Sequence, residues 1–197
     1  MRCMNRIVLL TGERGVGKTH LCQQVVERAV QRGYRCAGLL SPAVLDGEEK
    51  VAIALVDVAT HAEKTLAVAD DAPGGVRWGR YRFVTATLEW GSDLLSAATP
   101  CDLLILDELG PLELELGEGL IPALDVLNEG LFTLALVVVR PEMVEALKER
   151  LQRAEIRVLE VDLRNRDRLP GRIMSLLDET VENQGLPPGA EDCMFDA

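Results

Sequence analysis

The stretch Ile7-Val8-Leu9-Leu10-Thr11-Gly12-Glu13-Arg14-Gly15-Val16-Gly17-Lys18-Thr19 constrains this chain more than any other. Four aliphatic residues suited to a buried parallel strand run into Gly12-x-x-x-x-Gly17-Lys18-Thr19, and helical periodicity follows at Leu21, Val25, Val26 and Ala29. Strand, glycine-rich loop and helix in that order form the phosphate-binding loop in the context its chemistry requires. Gly12, Gly15 and Gly17 let successive backbone N–H groups turn inward toward phosphate oxygens. The helix that starts near Lys18 adds its unpaired N–H groups and the positive end of its dipole. Lys18 would reach the β- and γ-phosphates, and the Thr19 hydroxyl would ligate Mg²⁺. The competing reading, an accidental glycine-rich turn, leaves the eight-position match unexplained. The pattern implies a site for ATP, GTP or another nucleoside triphosphate, lined by Gly12, Glu13, Arg14, Gly15, Val16, Gly17, Lys18, Thr19 and His20.

With 197 residues, the chain has the length of one domain with a sizeable core. Its formal net charge of −11 argues against a nucleic-acid or anionic-membrane partner, because both need positive charge to displace counterions. Residues 1–5 lead straight into the first strand and leave no room for a signal peptide, and no apolar run is long enough to span a bilayer. Five cysteines without C-x-x-C spacing fit free thiols in a reducing cytoplasm.

Further along, a helix is expected over 18–32, ended by Gly33, and a second strand over 35–40. Turn signals at 46–49 and 60–63 divide residues 44–69 into a small antiparallel meander, with His61 in a solvated turn. Residues 70–75 form a loop by composition. Residues 76–83 read as one strand on which Arg80 and Arg82 share a face, opposite Tyr81 and Phe83. Arg80 is a candidate arginine finger or substrate clamp; a charged outer face of an edge strand is the other reading. Thr87 is the expected N-cap of a helix through Ala98.

Cys101-Asp102-Leu103-Leu104-Ile105-Leu106-Asp107-Glu108 is the second strong signal, an aliphatic run ending in two carboxylates. It fits a Walker B strand. Asp107 would hold Mg²⁺ through water, and Glu108 would take a proton from an attacking water.

The continuation Leu106-Asp107-Glu108-Leu109-Gly110-Pro111-Leu112-Glu113-Leu114 resembles the D-E-[IL]-G-P-[ML]-E-L signature of the THEP-type nucleoside-triphosphatases, small proteins related to RecA-like and AAA+ NTPases. Gly79-Arg80-Tyr81 with Glu89, and Asn165-Arg166-Asp167-Arg168-Leu169-Pro170, are similar to two further family segments. The resemblance implies a monomeric or weakly associated, Mg²⁺-dependent NTPase with broad nucleotide tolerance. Transfer of phosphate to a small acceptor, and a switch gated by a protein partner, are the alternatives. The chain departs from the family where a T-[VI]-H-R-like sequence is expected: Leu136-Val137-Val138-Val139-Arg140-Pro141 leaves only Arg140 to sense the γ-phosphate, against a cap or a surface ion pair. Residues 38–42 also lack the glutamate and arginine many members carry there.

The remainder reads as helices over 117–127, 142–152 and 168–181 and strands over 131–139 and 156–161. Asn165 and Arg166 leave the last strand on the nucleotide side, within reach of base or ribose. The expected fold is α/β: a three-layer P-loop NTPase sandwich of mainly parallel strands, spanning 1–183, with the 44–69 meander at one edge and 184–197 a flexible tail.

Overall fold

The computed structural model describes residues 6–69, 76–152 and 155–184. The expected entry into the first strand at 1–5, the loop at 70–75 and all but the first residue of the tail at 184–197 lie outside the described residues, as do Cys3 and Cys193.

The chain runs β1 (Arg6–Thr11), α1 (Lys18–Gln31), β2 (Cys36–Leu40), β3 (Ala43–Asp46), β4 (Glu49–Asp57), β5 (Glu63–Ala69), β6 (Val76–Trp78), β7 (Tyr81–Phe83), α2 (Thr85–Ser96), β8 (Cys101–Leu109), α3 (Pro122–Glu129), β9 (Phe132–Val139), α4 (Val144–Arg150), β10 (Glu155–Glu160) and α5 (Leu169–Gln184). One sheet holds the strands in the order β10-β1-β9-β8-β2-β4-β5-β7-β6, with β3 on β4. The first five are parallel; from β4 onward the pairing is antiparallel.

A parallel strand covered by helices on both sides must be apolar at every position, and its two-residue alternation then sends neighbours into different cores. Ile7 and Leu9 join Leu104, Leu106, Ala135 and Val137 under α2, α3 and α4. Val8 and Leu10 join Leu103, Ile105, Leu134 and Leu136 under α1 and α5. The three-layer sandwich follows directly from that split. Where β2 meets β8 the strands come close at Gly38: a Cβ there would lie 2.0 Å from the Ile105 carbonyl oxygen, and its φ of 105° suits only glycine.

Several boundaries differ from the sequence reading. The meander is present, but β4 pairs with β2, so it prolongs the main sheet. Residues 76–83 form a hairpin, because Gly79 turns the chain at φ 59°. Arg80 therefore sits in the turn and does not share a strand face with Arg82. Thr87 is not a cap; α2 starts at Thr85 and buries Thr87 within its first turn. The helix expected over 117–127 starts at Pro122, after a π-helical turn at Leu112–Leu116 and a break where Gly117 and Gly119 adopt positive φ. Proline lacks the N–H that the first helical position leaves unpaired, which fixes the later start. The helix expected over 142–152 is split into a 3₁₀ turn at Pro141–Met143 and α4. No helix among the described residues is long and apolar enough to cross a membrane.

Candidate nucleotide site

All five parallel strands end at one edge of the sheet, and β9 separates β1 from β8, with Leu9 and Leu106 both level with Val137. The loops that follow β1, β8 and β9 therefore converge there, the edge at which open α/β sheets bind ligands. The loop after β1 is pressed against the loop after β10. Val161 N–H donates to the Thr11 carbonyl at 2.8 Å, and a Cβ on Gly12 would lie 2.3 Å from the Val161 oxygen. Gly17 precedes α1 without any side-chain cap, so the first N–H groups of the helix face the loop's interior. Lys18 Nζ reaches back across the loop and donates to the carbonyls of Gly12 at 2.7 Å and Glu13 at 2.9 Å. Burial lowers the Lys18 pKa, while the Glu108 and Asp107 carboxylates oppose that shift. Val16 is buried; Glu13, Arg14 and His20 are exposed, His20 resting on Gln24 at 3.0 Å.

Asp107 is buried at the end of β8. Its carboxylate accepts Ser41 N–H at 3.1 Å, and the neighbouring Thr19 hydroxyl also favours its ionised form. Burial outweighs both and pushes its pKa up to about 6. Thr19 and Asp107 are neighbouring hard oxygen donors, a pair suited to Mg²⁺, which keeps waters and substrate phosphates for its other positions. Among the described residues no group of three or more histidines, cysteines or acids gathers into a protein-only metal cage. The next side chain, Glu108, is exposed and receives Arg140 Nε at 2.6 Å from the end of β9. Lys18, Thr19, Asp107, Glu108 and Arg140, drawn from three separate stretches of sequence, thus share one edge of the sheet.

The remaining expected site residues have other surroundings. Asn165 donates to the Glu160 carbonyl at 2.8 Å and accepts Asp162 N–H at 3.0 Å, so both ends of its amide hold its own loop. Arg166 lies against the phosphate loop, Nη1 donating to the Val16 carbonyl at 3.4 Å. Beside them a cavity of about 340 Å³ opens between Glu13, Val16, Val161, Asp162, Leu163 and Arg164, next to the phosphate loop. Arg80 is engaged by the Lys50 carbonyl and by Glu49.

Three contributors escaped the sequence reading. Ser41 acts through its backbone N–H, which carries no residue-type signal. Glu113 is buried; its carboxylate accepts Gly110 N–H at 3.0 Å and Leu120 N–H at 3.1 Å and so pins the loop that follows β8. Its place in the Gly110-Pro111-Leu112-Glu113 motif was the available clue. Lys50 is a single cation beside a turn and gave no clue. Cys22, Cys36 and Cys101 are free thiols, as expected.

A sequence model described as NTPase matches residues 7–174. The nucleoside-triphosphatase THEP1 of Methanopyrus kandleri is 30% identical, over 90% of this chain and 98% of its own length. That of Thermofilum pendens is 31% identical, over 84% and 91%. Two solved structures share the fold: THEP1 from the hyperthermophile Aquifex aeolicus, with a TM-score of 0.68 and 22% identity over 87% of this chain and 99% of that one, and a human cancer-related nucleoside triphosphatase, with a TM-score of 0.69 and 23% identity over 88% and 98%.

Proposed function

Because the chain belongs to the NTPase family and is a nucleoside-triphosphate phosphohydrolase, we propose that it hydrolyses the β–γ bond of ATP, GTP and other nucleoside triphosphates with Mg²⁺, tolerating different bases. The observation that carries this reading is the placing of Thr19, in the first turn of α1, beside the buried Asp107 carboxylate and the exposed carboxylate of Glu108. Thr19 and Asp107 would hold Mg²⁺, which would supply charge neutralisation on the phosphate oxygens. The uncapped start of α1 and the loop N–H groups hold the phosphates, and Lys18 swings from the Gly12 and Glu13 carbonyls onto them. Glu108 accepts a proton from water aligned with the leaving oxygen. Arg140 orients Glu108 through their ion pair and brings positive charge to the γ-phosphate side. The base lies in the cavity beside Val16 and Leu163, where Val16, Val161 and Leu163 offer apolar surface that any base can cover, next to the charged Glu13, Glu160, Asp162 and Arg164.

Phosphate release from ATP, GTP, CTP and UTP, measured with Mg²⁺ for wild type and Glu108→Gln, tests the proposal. Turnover with all four is expected, and Glu108→Gln should lower kcat by about 10²-fold or more while nucleotide still binds. Full activity in Glu108→Gln would remove the assigned base. Steady release without an acceptor separates hydrolysis from phosphoryl transfer to a second substrate.

A further inference from the structure

β4 runs antiparallel to β2 and passes its carboxyl end at the Leu40–Val56 pair. Lys50 therefore lies six residues further out, on the side where the phosphate loop opens. β7 begins at that same side, with Tyr81 level with Ala69 at the end of β5. The Lys50 ammonium sits over the Tyr81 ring, 5.4 Å from its centroid. The Arg80 guanidinium covers the same ring at 5.3 Å, donates to the Lys50 carbonyl at 2.5 Å and to the Tyr81 hydroxyl at 3.3 Å, and pairs with Glu49. Arg80 thus holds the backbone and the platform of Lys50, and Glu49, the acid nearest in sequence, is paired with Arg80. Lys50 is half-buried, and the charges that act on its ammonium include Arg14 of the phosphate loop and the carboxylates of Glu108 and Asp107. Burial lowers its pKa, as befits an ammonium that has given up part of its water.

We propose that Lys50 is the cation that meets the γ-phosphoryl group from the side opposite Lys18, with Arg80 and Tyr81 as positioning residues that hold it there. This rests on the hydrolysis reading of the same site. In that reaction the water oxygen bonds to the γ-phosphorus, the bond from that phosphorus to the β–γ bridging oxygen breaks, and the bridging oxygen leaves with its electron pair on the diphosphate. The water's proton passes to Glu108. Negative charge spreads over the three equatorial oxygens, and Lys18 reaches them from one side only. A compact ammonium with three rotatable donors on a rigid aromatic platform suits the other side. Arg80, the expected finger, has its donors directed at Glu49, the Lys50 carbonyl and the Tyr81 hydroxyl instead.

Calorimetric binding of the Mg²⁺ complexes of a β,γ-imido triphosphate and of the matching diphosphate, with kcat beside it, tests the proposal in wild type, Lys50→Met and Lys50→Arg. Methionine keeps an apolar stem over Tyr81 and removes the charge. Lys50→Met should weaken the triphosphate analogue about tenfold and leave the diphosphate within about twofold, since only the former carries the γ-group. Its kcat should fall by about 10²-fold, as when one donor to a developing oxyanion is lost, and Lys50→Arg should recover much of it. Arg80→Ala should lower kcat about tenfold in the wild-type background and add little in Lys50→Met, the non-additivity of residues acting as a unit. Equal weakening of both ligands would mean that Lys50 merely supports the hairpin and would overturn the assignment, as would an unchanged kcat in Lys50→Met. Because the ligand comparison reads binding, it stands whatever the turnover; a wild type that binds the triphosphate without hydrolysing it refutes the hydrolysis reading alone.

Discussion

Replacing Asp107 with asparagine should stabilise the ligand-free protein while disabling it. The carboxylate is buried, and burial outweighs the hydrogen bond from Ser41, the neighbouring Thr19 hydroxyl and the attraction of Lys18, so that its pKa is pushed up to about 6 from 3.8. The folded chain therefore ionises this group less readily than the unfolded chain does. Between about pH 4 and pH 6 the unfolded chain has released the proton and the folded one has not, so stability falls as pH rises through that window. Above it the penalty is complete. Two pKa units correspond to about 3 kcal/mol, and asparagine, neutral at every pH, escapes it. Loss of one charge-assisted hydrogen bond returns about 1 kcal/mol, leaving a net gain of about 2 kcal/mol at pH 8. For a chain of this length that is a rise in Tm of about 4–8 °C. Urea denaturation of both proteins without Mg²⁺ or nucleotide, at pH 4.5 and pH 8, reads the difference directly. Asp107→Asn should gain stability at pH 8 and very little at pH 4.5, and should lose Mg²⁺-dependent turnover. A variant less stable than wild type at pH 8 would refute the argument that burial dominates at this carboxylate.

Lys18→Ala should lose triphosphate binding or turnover, with little change in stability since the ammonium contacts only two loop carbonyls; nucleotide titration beside urea denaturation checks both. Gly38→Ala should cost more than about 3 kcal/mol, because both the 2.0 Å approach to Ile105 and the positive φ must be relieved, and a urea midpoint near wild type would contradict that contact. Glu113→Ala leaves the N–H groups of Gly110 and Leu120 without their acceptor inside the protein, at about 2–4 kcal/mol. It should also lower kcat, because the loop it pins follows Glu108; separate stability and activity measurements at 20 °C distinguish the two effects.

The phosphate loop and the Asp107-Glu108 strand end were legible because local chemistry fixes both. Only glycine tolerates the positive φ of positions 12, 15 and 17 in the loop, and only a strand covered on both faces runs Leu103-Leu104-Ile105-Leu106 without a polar break. Helix α1 was placed nearly to the residue for the same reason, its start set by Gly17 and its end by Gly33 at φ 84°. The helix after Glu113 was misplaced because Leu112, Leu114 and Leu120 keep an apolar rhythm that a helix also shows, while the break at Gly117 and Gly119 is stabilised by the Glu113 carboxylate folding back onto it. Residues 76–83 have the alternation of one strand, but the Gly79–Arg80 turn forms because β5 offers an edge to β7.

By itself the sequence determined the three-layer class, the phosphate-binding loop and the paired carboxylates, since each follows from neighbours along the chain. Tertiary structure alone decided which cation stands where. Arg140 meets Glu108 because β9 lies between β1 and β8, and Arg80 is held by β4, which brings the Lys50 carbonyl and Glu49 against it. Strand order and hairpin register are set by long-range burial and pairing, and two side chains thirty residues apart carry no local mark of the contact they will make.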